Sequence, residues 1–334
     1  MQYINSNQGR MLPASKTITN NLLLLDLDNT LTDTRSWFAS FILHSLEQLA
    51  HAFDVPQATV NGIYAEVASA TTLHEYAFVV ETIAARLKAH SKLSFDAVSQ
   101  LSAEFWHRFD GEHKKIQVYD GVHETLLGLR RTFANLDIVI LTDSPEWVAL
   151  DRLALTGLLP LVDGVVAIAS EAPKLRLRGY RECLRSSKRR IDERQRRHDL
   201  SHLKVNMAIP ATFAKPSSAG IELIASRLGC LSGQIVICGD KDTKEGHAAQ
   251  NWRQRQAYSG SQMDIQFVKA DYGNHDLFDE RYQVLESHIP SLKTAKPYDA
   301  TAKAPALVAL SCFSDIVGAV EQVVGASSRV NVVA

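Results

Sequence analysis

Two aspartates one residue apart, Asp26 and Asp28, follow directly on four leucines, Leu22 to Leu25, and run into Asn29, Thr30 and Thr32. Like charges at the end of an apolar run are costly to bury unless a cation compensates them. Side chains at i and i+2 of an extended segment project to the same side, so a divalent ion could serve both. Other reactive groups stand in comparable places. Thr142 ends Ile138-Val139-Ile140-Leu141, Lys215 lies just ahead of a helical pattern, and Asp240, Asp242 and Glu245 follow Ile235-Val236-Ile237-Cys238-Gly239. Carboxylates of this kind can hold Mg2+, and one beside the metal can act as a nucleophile and form an aspartyl-phosphate. A hydroxyl and an ammonium can bind the transferring phosphoryl oxygens, where charge stabilisation supplies most of the rate. Each piece has an ordinary alternative: a solvated Asp-Asn turn, a strand-end hydroxyl, a surface lysine. The near-copy of Asp26-x-Asp28 at Asp240-x-Asp242 shows that the spacing alone is not specific. Order and placement together carry the reading.

The elements that must position these groups can be read from periodicity. Continuous apolar runs at 22–25, 137–141, 165–169, 234–238 and 265–270, with a short one at 307–310, read as strands buried on both faces of a parallel sheet. In such a sheet ligands bind beyond the carboxyl ends of the strands, which is where the candidates fall. Between Asp33 and Tyr119 the period changes to three and four. Trp37 to Phe53, Val60 to Val67, Phe78 to Leu87 and Val98 to Phe109 predict four amphipathic helices, a subdomain with its own apolar faces. Val122 to Phe133 and the stretch from Pro145 to Gly157 predict further helices, the latter capped by Ser144 or Asp143. The expected division is an N-terminal arm at 1–20, a discontinuous α/β core at 21–33 and 119–334, a helical block at 34–118, and an insertion in the core at 171–214.

Composition narrows the class. Apolar residues make up 46% and charged residues 22% of 334, as in a globular protein, and a net charge of −1 gives no field to steer the chain to nucleic acid or membrane. No apolar run approaches the ~18 residues that span a bilayer, and the first twenty residues lack a secretory h-region. The four cysteines have no C-x-x-C spacing, which fits a reducing cytoplasm. One tract stands out: residues 174–197 hold 11 Lys or Arg against three acids. It reads as a solvated, partly helical surface insertion. The alternative is a basic arm for an anionic substrate, RNA or a partner, disfavoured because Tyr180 is its only aromatic residue.

The ordered set resembles the haloacid dehalogenase (HAD) superfamily. Asp26-Leu27-Asp28-Asn29-Thr30-Leu31 matches its first motif, Thr142 its second, Lys215-Pro216 its third and Gly239-Asp240 its fourth, and the helical block has the place and size of a C1-type cap. The resemblance covers roughly residues 21–275 and implies a Rossmann-like parallel sheet with helices on both faces plus an all-helical cap. By that resemblance Asp26 is the nucleophile and Asp28 the general acid/base. Thr142, Asp143 and Lys215 bind the phosphoryl group, and Asp26, Asp28 (through its backbone carbonyl) and Asp240 hold Mg2+. Members that dehalogenate lack the second acid, so Asp28 favours phosphoryl chemistry. The family commonly carries another Asp about five residues after Asp240, where this chain has Glu245; either Glu245 or Asp242 could complete the metal site. The implied activity is Mg2+-dependent hydrolysis of a small phosphorylated metabolite, under a cap that closes to exclude water. Arg35, Trp37, His74, Glu75 and Tyr76 are the candidates for substrate selection. A phosphomutase, or a non-catalytic protein that keeps the scaffold, are the alternatives.

Overall fold

The computed structural model describes residues 21–71, 75–88, 93–173, 178–230, 232–259, 262–272 and 306–325. The expected N-terminal arm at 1–20 and the candidate His74 lie outside these residues, as do the first residues of the basic tract, 174–177.

The strand β1 (Asn21–Leu25) lies at the centre of a seven-stranded parallel sheet. Its neighbours are β4 (Leu136–Pro145) and β7 (Ser232–Gly239). Beyond β4 come β5 (Gly164–Ile168) and β6 (Val205–Ile209); beyond β7 come β8 (Gln262–Ala270) and β9 (Val308–Leu310). The alternation of side chains explains why four leucines in a row are needed. Leu22 and Leu24 enter the apolar cluster on one face, and Leu23 and Leu25 the cluster on the other. All four have no exposed surface, and each contributes roughly 1.5–3 kcal/mol of burial. The chain runs outward from β1 first to one side and then to the other, so the end of β1 is the switch point where a crevice opens.

Helices cover both faces of the sheet. α5 (Val122–Thr132) and the last helix, α10 (Ile316–Val324), pack on the Leu23/Leu25 side. α8 (Ala219–Arg227) and α9 (His247–Ser259) supply Ile221, Ile224 and Trp252 to the other. α6 (Glu146–Leu155) sits between, with Trp147 and Val148 in one cluster and Leu150 and Leu153 in the other.

The expected four helices appear as α1 (Arg35–Phe53), α2 (Gln57–Thr71), α3 (Val79–Arg86) and α4 (Phe95–His113). They leave and rejoin the core through a two-stranded antiparallel ribbon, β2 (Thr32–Asp33) with β3 (Gln117–Val118). Asp54 ends α1 in the left-handed conformation, φ 52°, which Asp tolerates better than most residues. The apolar core of this cap is continuous with the sheet face beneath it: Phe41, Phe109 and Trp147 belong to one cluster with Leu22 and Leu24.

The basic tract departs from the expectation of a solvated insertion. It forms α7 (Arg178–Gln195), which packs one face against the cap and α6. Tyr180, Cys183, Ser187 and Ile191 recur at helical spacing and are buried. The fully buried Glu81 of α3 accepts hydrogen bonds from Ser102 of α4 (2.9 Å) and Ser187 of α7 (2.7 Å). Gly179 lets the two helices touch, because a Cβ there would lie 2.2 Å from the Phe95 ring. Near its other end Arg194 pairs with Asp110 of α4 and Asp151 of α6, and its guanidinium stacks 5.4 Å from Trp106 and 5.5 Å from Trp147. The weak apolar spine visible in the sequence is therefore a real buried face, completed by Ser187 and Arg194 rather than by aliphatic residues. The residues after α7 return as β6, an edge strand of the sheet inside the stretch expected to be insertion. Its outward side chains alternate with buried Val205 and Ile209, too short a signal to stand out in sequence.

Arg194→Ala removes the guanidinium from Asp110 and leaves Asp151, among the described residues, with His198, 2.8 Å away. The expected cost is about 2–3 kcal/mol, read as a lowered denaturant midpoint, with Arg194→Lys recovering part of it.

Candidate active site

Turn geometry puts the two acids at the end of β1. The Asp26 amide donates to the Cys238 carbonyl (2.9 Å), continuing the ladder, and the chain then folds back on itself: the Leu31 amide donates to Leu27 O and the Asn29 amide to Thr32 O (2.7 Å). Asn29 takes the positive φ of 60° that this turn requires. The effect is to point Asp26 and Asp28 into different surroundings.

Asp26 faces β7 and the third motif. Its carboxylate lies 2.7 Å from Lys215 Nζ, and Lys215 lies 2.5 Å from Glu245. Carboxylate oxygens of Asp26, Asp240 and Glu245 come within 4.8 Å of one another. Burial, reinforced by Glu245, Asp240 and Asp28, pushes the Asp26 carboxyl up to about 8 against the pull of Lys215. Lys215 is held well above the usual lysine range by Asp26 and Glu245, although burial opposes it. Three buried acids around one ammonium leave negative charge in excess, and their hard oxygens suit Mg2+. The residues fit the metal.

Within the fourth motif it is Glu245 that comes close to Asp26 and Asp240. Asp242–Gly246 is a single π-helical turn, which rotates Glu245 back over the strand end. Gly239 permits this, since a Cβ there would lie 2.3 Å from Glu245 Cγ. Asp242 instead points away and pairs with Lys269 (3.6 Å).

Asp28 faces α6. It accepts hydrogen bonds from Thr34 (2.7 Å) and Ser144 and forms an ion pair with Arg152. Arg152 has no exposed surface and also pairs with Glu75 of the cap. Although burial opposes it, Arg152 with the Ser144 and Thr34 hydroxyls holds Asp28 below the usual carboxylate range. Burial pushes Glu75 up to about 6 despite Arg152. The Trp37 ring lies 5.5 Å from the Arg152 guanidinium.

Thr142 is buried between these halves; its hydroxyl accepts from the Ser144 amide (3.1 Å) and lies 3.5 Å from Asp28. Asp143 and Ser144 do not cap α6 as expected, because stronger partners take both side chains. Asp143 pairs with Lys244 (2.7 Å) and accepts from the Lys215 amide (3.0 Å), so its carboxylate braces the third motif and offers no donor to a phosphate. Ser144 joins Asp28, Glu75 and Arg152.

Of the expected site residues, Asp26, Lys215, Asp240 and Glu245 converge, and Asp28 and Thr142 adjoin them; Asp242 stands apart. Neither Arg152 nor Ser144 stands out in the sequence as a site residue. The signal for Arg152 is a charge four residues after Val148, on the apolar stripe of α6, where a solvated arginine has no place. Among the cap candidates, Trp37, Glu75 and Tyr76 lie at the junction with the core, where Tyr76 donates to the Glu171 carbonyl (3.1 Å). The Arg35 side chain and His74 lie outside the described residues.

Mg2+ is expected to raise the thermal midpoint of the native protein by roughly 2–4 °C at saturation. Glu245→Ala should abolish that rise and Asp242→Ala should leave it intact, as read by thermal denaturation with and without the ion.

No family model matches the chain and no curated protein matches it. Similar solved structures include a predicted phosphoglycolate phosphatase from Haemophilus somnus 129PT, at 15% identity, 91% of this chain and 99% of that one, with a TM-score of 0.46. A 2-haloacid dehalogenase from Pseudomonas syringae pv. Tomato DC3000 matches at 12% identity, 91% and 99% coverage and a TM-score of 0.48. A haloacid dehalogenase-like family hydrolase, SP0104 from Streptococcus pneumoniae, matches at 13% identity, 90% and 98% coverage and a TM-score of 0.41. The comparison is one of overall likeness.

Proposed function

We propose that this chain is a HAD-type hydrolase acting as a Mg2+-dependent phosphatase, with Asp26 as its nucleophile. The observation that carries the reading is the convergence of Asp26, Lys215, Asp240 and Glu245 at the switch point of the sheet. Mg2+, held by Asp26, Asp240, Glu245 and the Asp28 backbone carbonyl, would supply charge compensation to the phosphoryl oxygens. An Asp26 oxygen attacks phosphorus, the bond to the substrate oxygen breaks, and that oxygen leaves with the electron pair. Lys215 fixes the attacking carboxylate and, with the Thr142 hydroxyl, faces the developing charge on the phosphoryl group. Water then cleaves the aspartyl-phosphate at phosphorus and gives a proton to Asp28, which releases it through solvent to the departed alkoxide, so that Asp26 and Asp28 both return to their starting forms. The substrate is a small molecule, and the cap over the strand ends excludes bulk water. The chain is assigned to the cytoplasm, on its cysteine pattern; among the described residues no helix is long and apolar enough to cross a membrane.

One observation favours a second reading, a scaffold that binds phosphorylated ligands without turnover. The Asp28 carboxylate is fully engaged by Arg152, Ser144 and Thr34. The two readings part in a phosphate-release assay over a substrate panel with Mg2+. Release by the native protein, lost by at least about a thousandfold in Asp26→Asn, is the expected result. No release from any substrate, or release that survives Asp26→Asn, rejects the catalytic reading.

A clamped Asp28 also sets a preference among substrates. Held ionised by Arg152, it protonates a departing alkoxide poorly, a contribution ordinarily about 10²–10⁴-fold. An aryl phosphate, whose leaving group needs no proton, is expected to turn over at least ~10-fold faster than an alkyl phosphate, compared as kcat/KM.

A further inference from the structure

Asp143 turns its two carboxylate oxygens to two different motifs. Oδ1 accepts a hydrogen bond from the Lys215 amide (3.0 Å), and Oδ2 accepts one from Lys244 Nζ (2.7 Å). Lys244 precedes Glu245 in the π-helical turn, and Glu245 lies 2.5 Å from Lys215 Nζ. These contacts close a ring from the end of β4 to the third motif, on to the fourth and back to β4. We propose that Asp143 and Lys244 are positioning residues for the metal site: their ion pair holds Glu245 and the Lys215 ammonium in register with Asp26 and Asp240. Neither is a ligand. The carboxylate oxygens that converge are those of Asp26, Asp240 and Glu245, and Asp143 is not among them. This deepens the phosphatase reading and rests on it for the metal.

The turn needs an outside anchor. The Lys244 and Glu245 amides both donate to the Lys241 carbonyl (3.1 Å each), and Glu245 Oε2 accepts from the Lys241 amide (3.2 Å). These bonds shape the turn from within and do not set its distance from β4. The Lys244 side chain sets it, by carrying an ion pair to a β4 residue. Charge gives the pair a second task. Burial opposes the Lys215 ammonium, and Asp26, Glu245 and Asp143 sustain it, in that order. Lys215 therefore stands among three carboxylates and contacts two of them, Asp26 (2.7 Å) and Glu245. Lys244 answers the third. Without that cation Asp143 is a buried carboxylate whose remaining counter-charge is Lys215. It would draw the ammonium away from the nucleophile and from Glu245. Asp143 is kept out of the site by being satisfied elsewhere.

The test titrates Mg2+ alone, without substrate, by isothermal calorimetry into the native protein, Lys244→Met, and Lys244→Met combined with Asp143→Asn. Positioning and plain electrostatics predict opposite signs. Removing a positive charge near a divalent cation tightens its binding through the field, and removing a negative one weakens it. With Lys244 as a positioning residue, Lys244→Met instead binds Mg2+ roughly 10- to 100-fold more weakly than the native protein. Adding Asp143→Asn then recovers part of that loss, because a buried pair removed whole is tolerated better than one left half made. The double variant keeps the native net charge, yet stays at least ~3-fold weaker than native for want of the tie. General loosening of the fold does not produce the recovery, since two substitutions loosen it at least as much as one. Unchanged or tighter binding by Lys244→Met overturns the proposal, and so does a further loss on adding Asp143→Asn. Should Lys244→Met fail to fold, the double variant decides: native affinity there overturns the proposal. The readout is independent of turnover, so absence of phosphate release from every substrate rejects the phosphatase reading alone. Absence of Mg2+ binding by the native protein rejects the metal site and the pair's role with it.

Discussion

The site depends on burying several carboxylates at the end of a strand that is itself wholly apolar. Like charges in that setting repel and cannot be solvated, so each needs a fixed cation or a proton. The chain places its cations on separate elements. Lys215 precedes α8, Lys244 lies in the π-helical turn and Arg152 lies on α6; each is aimed at a different carboxylate. This separation gives Asp26 and Asp28, two residues apart, opposite electrostatic characters. Burial and the neighbouring acids push the Asp26 carboxyl up against the pull of Lys215, while Arg152 and two hydroxyls hold Asp28 below the usual carboxylate range.

Much of this was legible in the sequence because it rests on local patterns. Apolar runs gave the buried strands and three-and-four periodicity gave the cap helices; Asp26, Thr142 and Asp240 at strand ends and Lys215 ahead of α8 lie close together as their placement suggested. What was not legible depends on long-range contact. Arg152 lies 124 residues from Asp28, and nothing in the spacing of α6 says what its buried charge faces. The placement of Glu245 rather than Asp242 beside Asp26 and Asp240 depends on a π-helical turn and on the bare Cα of Gly239, neither of which periodicity reveals. The tract at 174–197 is hard to read in sequence for another reason. A helix that buries Ser187 and Arg194 against Glu81, Asp110 and Asp151 uses polar groups where an apolar stripe is the usual signal.

Cap and core meet through polar contacts set in an aromatic layer. Trp37, Phe109, Trp147 and His113 surround the guanidinium groups of Arg152 and Arg194. Burial, with Arg152 and Arg194 nearby, holds His113 well below its usual range, so it adds no charge of its own. An apolar interface alone would slide between many registers with little cost. Paired charges inside it penalise every register but one, at some expense in stability.

Helix α7 changes the mechanics of the molecule. A cap joined to its core only by the β2–β3 ribbon could swing as a door does, pivoting at that edge. α7 is fastened at once to α3 and α4 through Glu81 and Ser102, and to α6 through Arg194 and Asp151. It acts as a strut across the gap, remote in sequence from the ribbon. With two attachments the available displacement is a shear of packed helices over short distances, not a wide rotation.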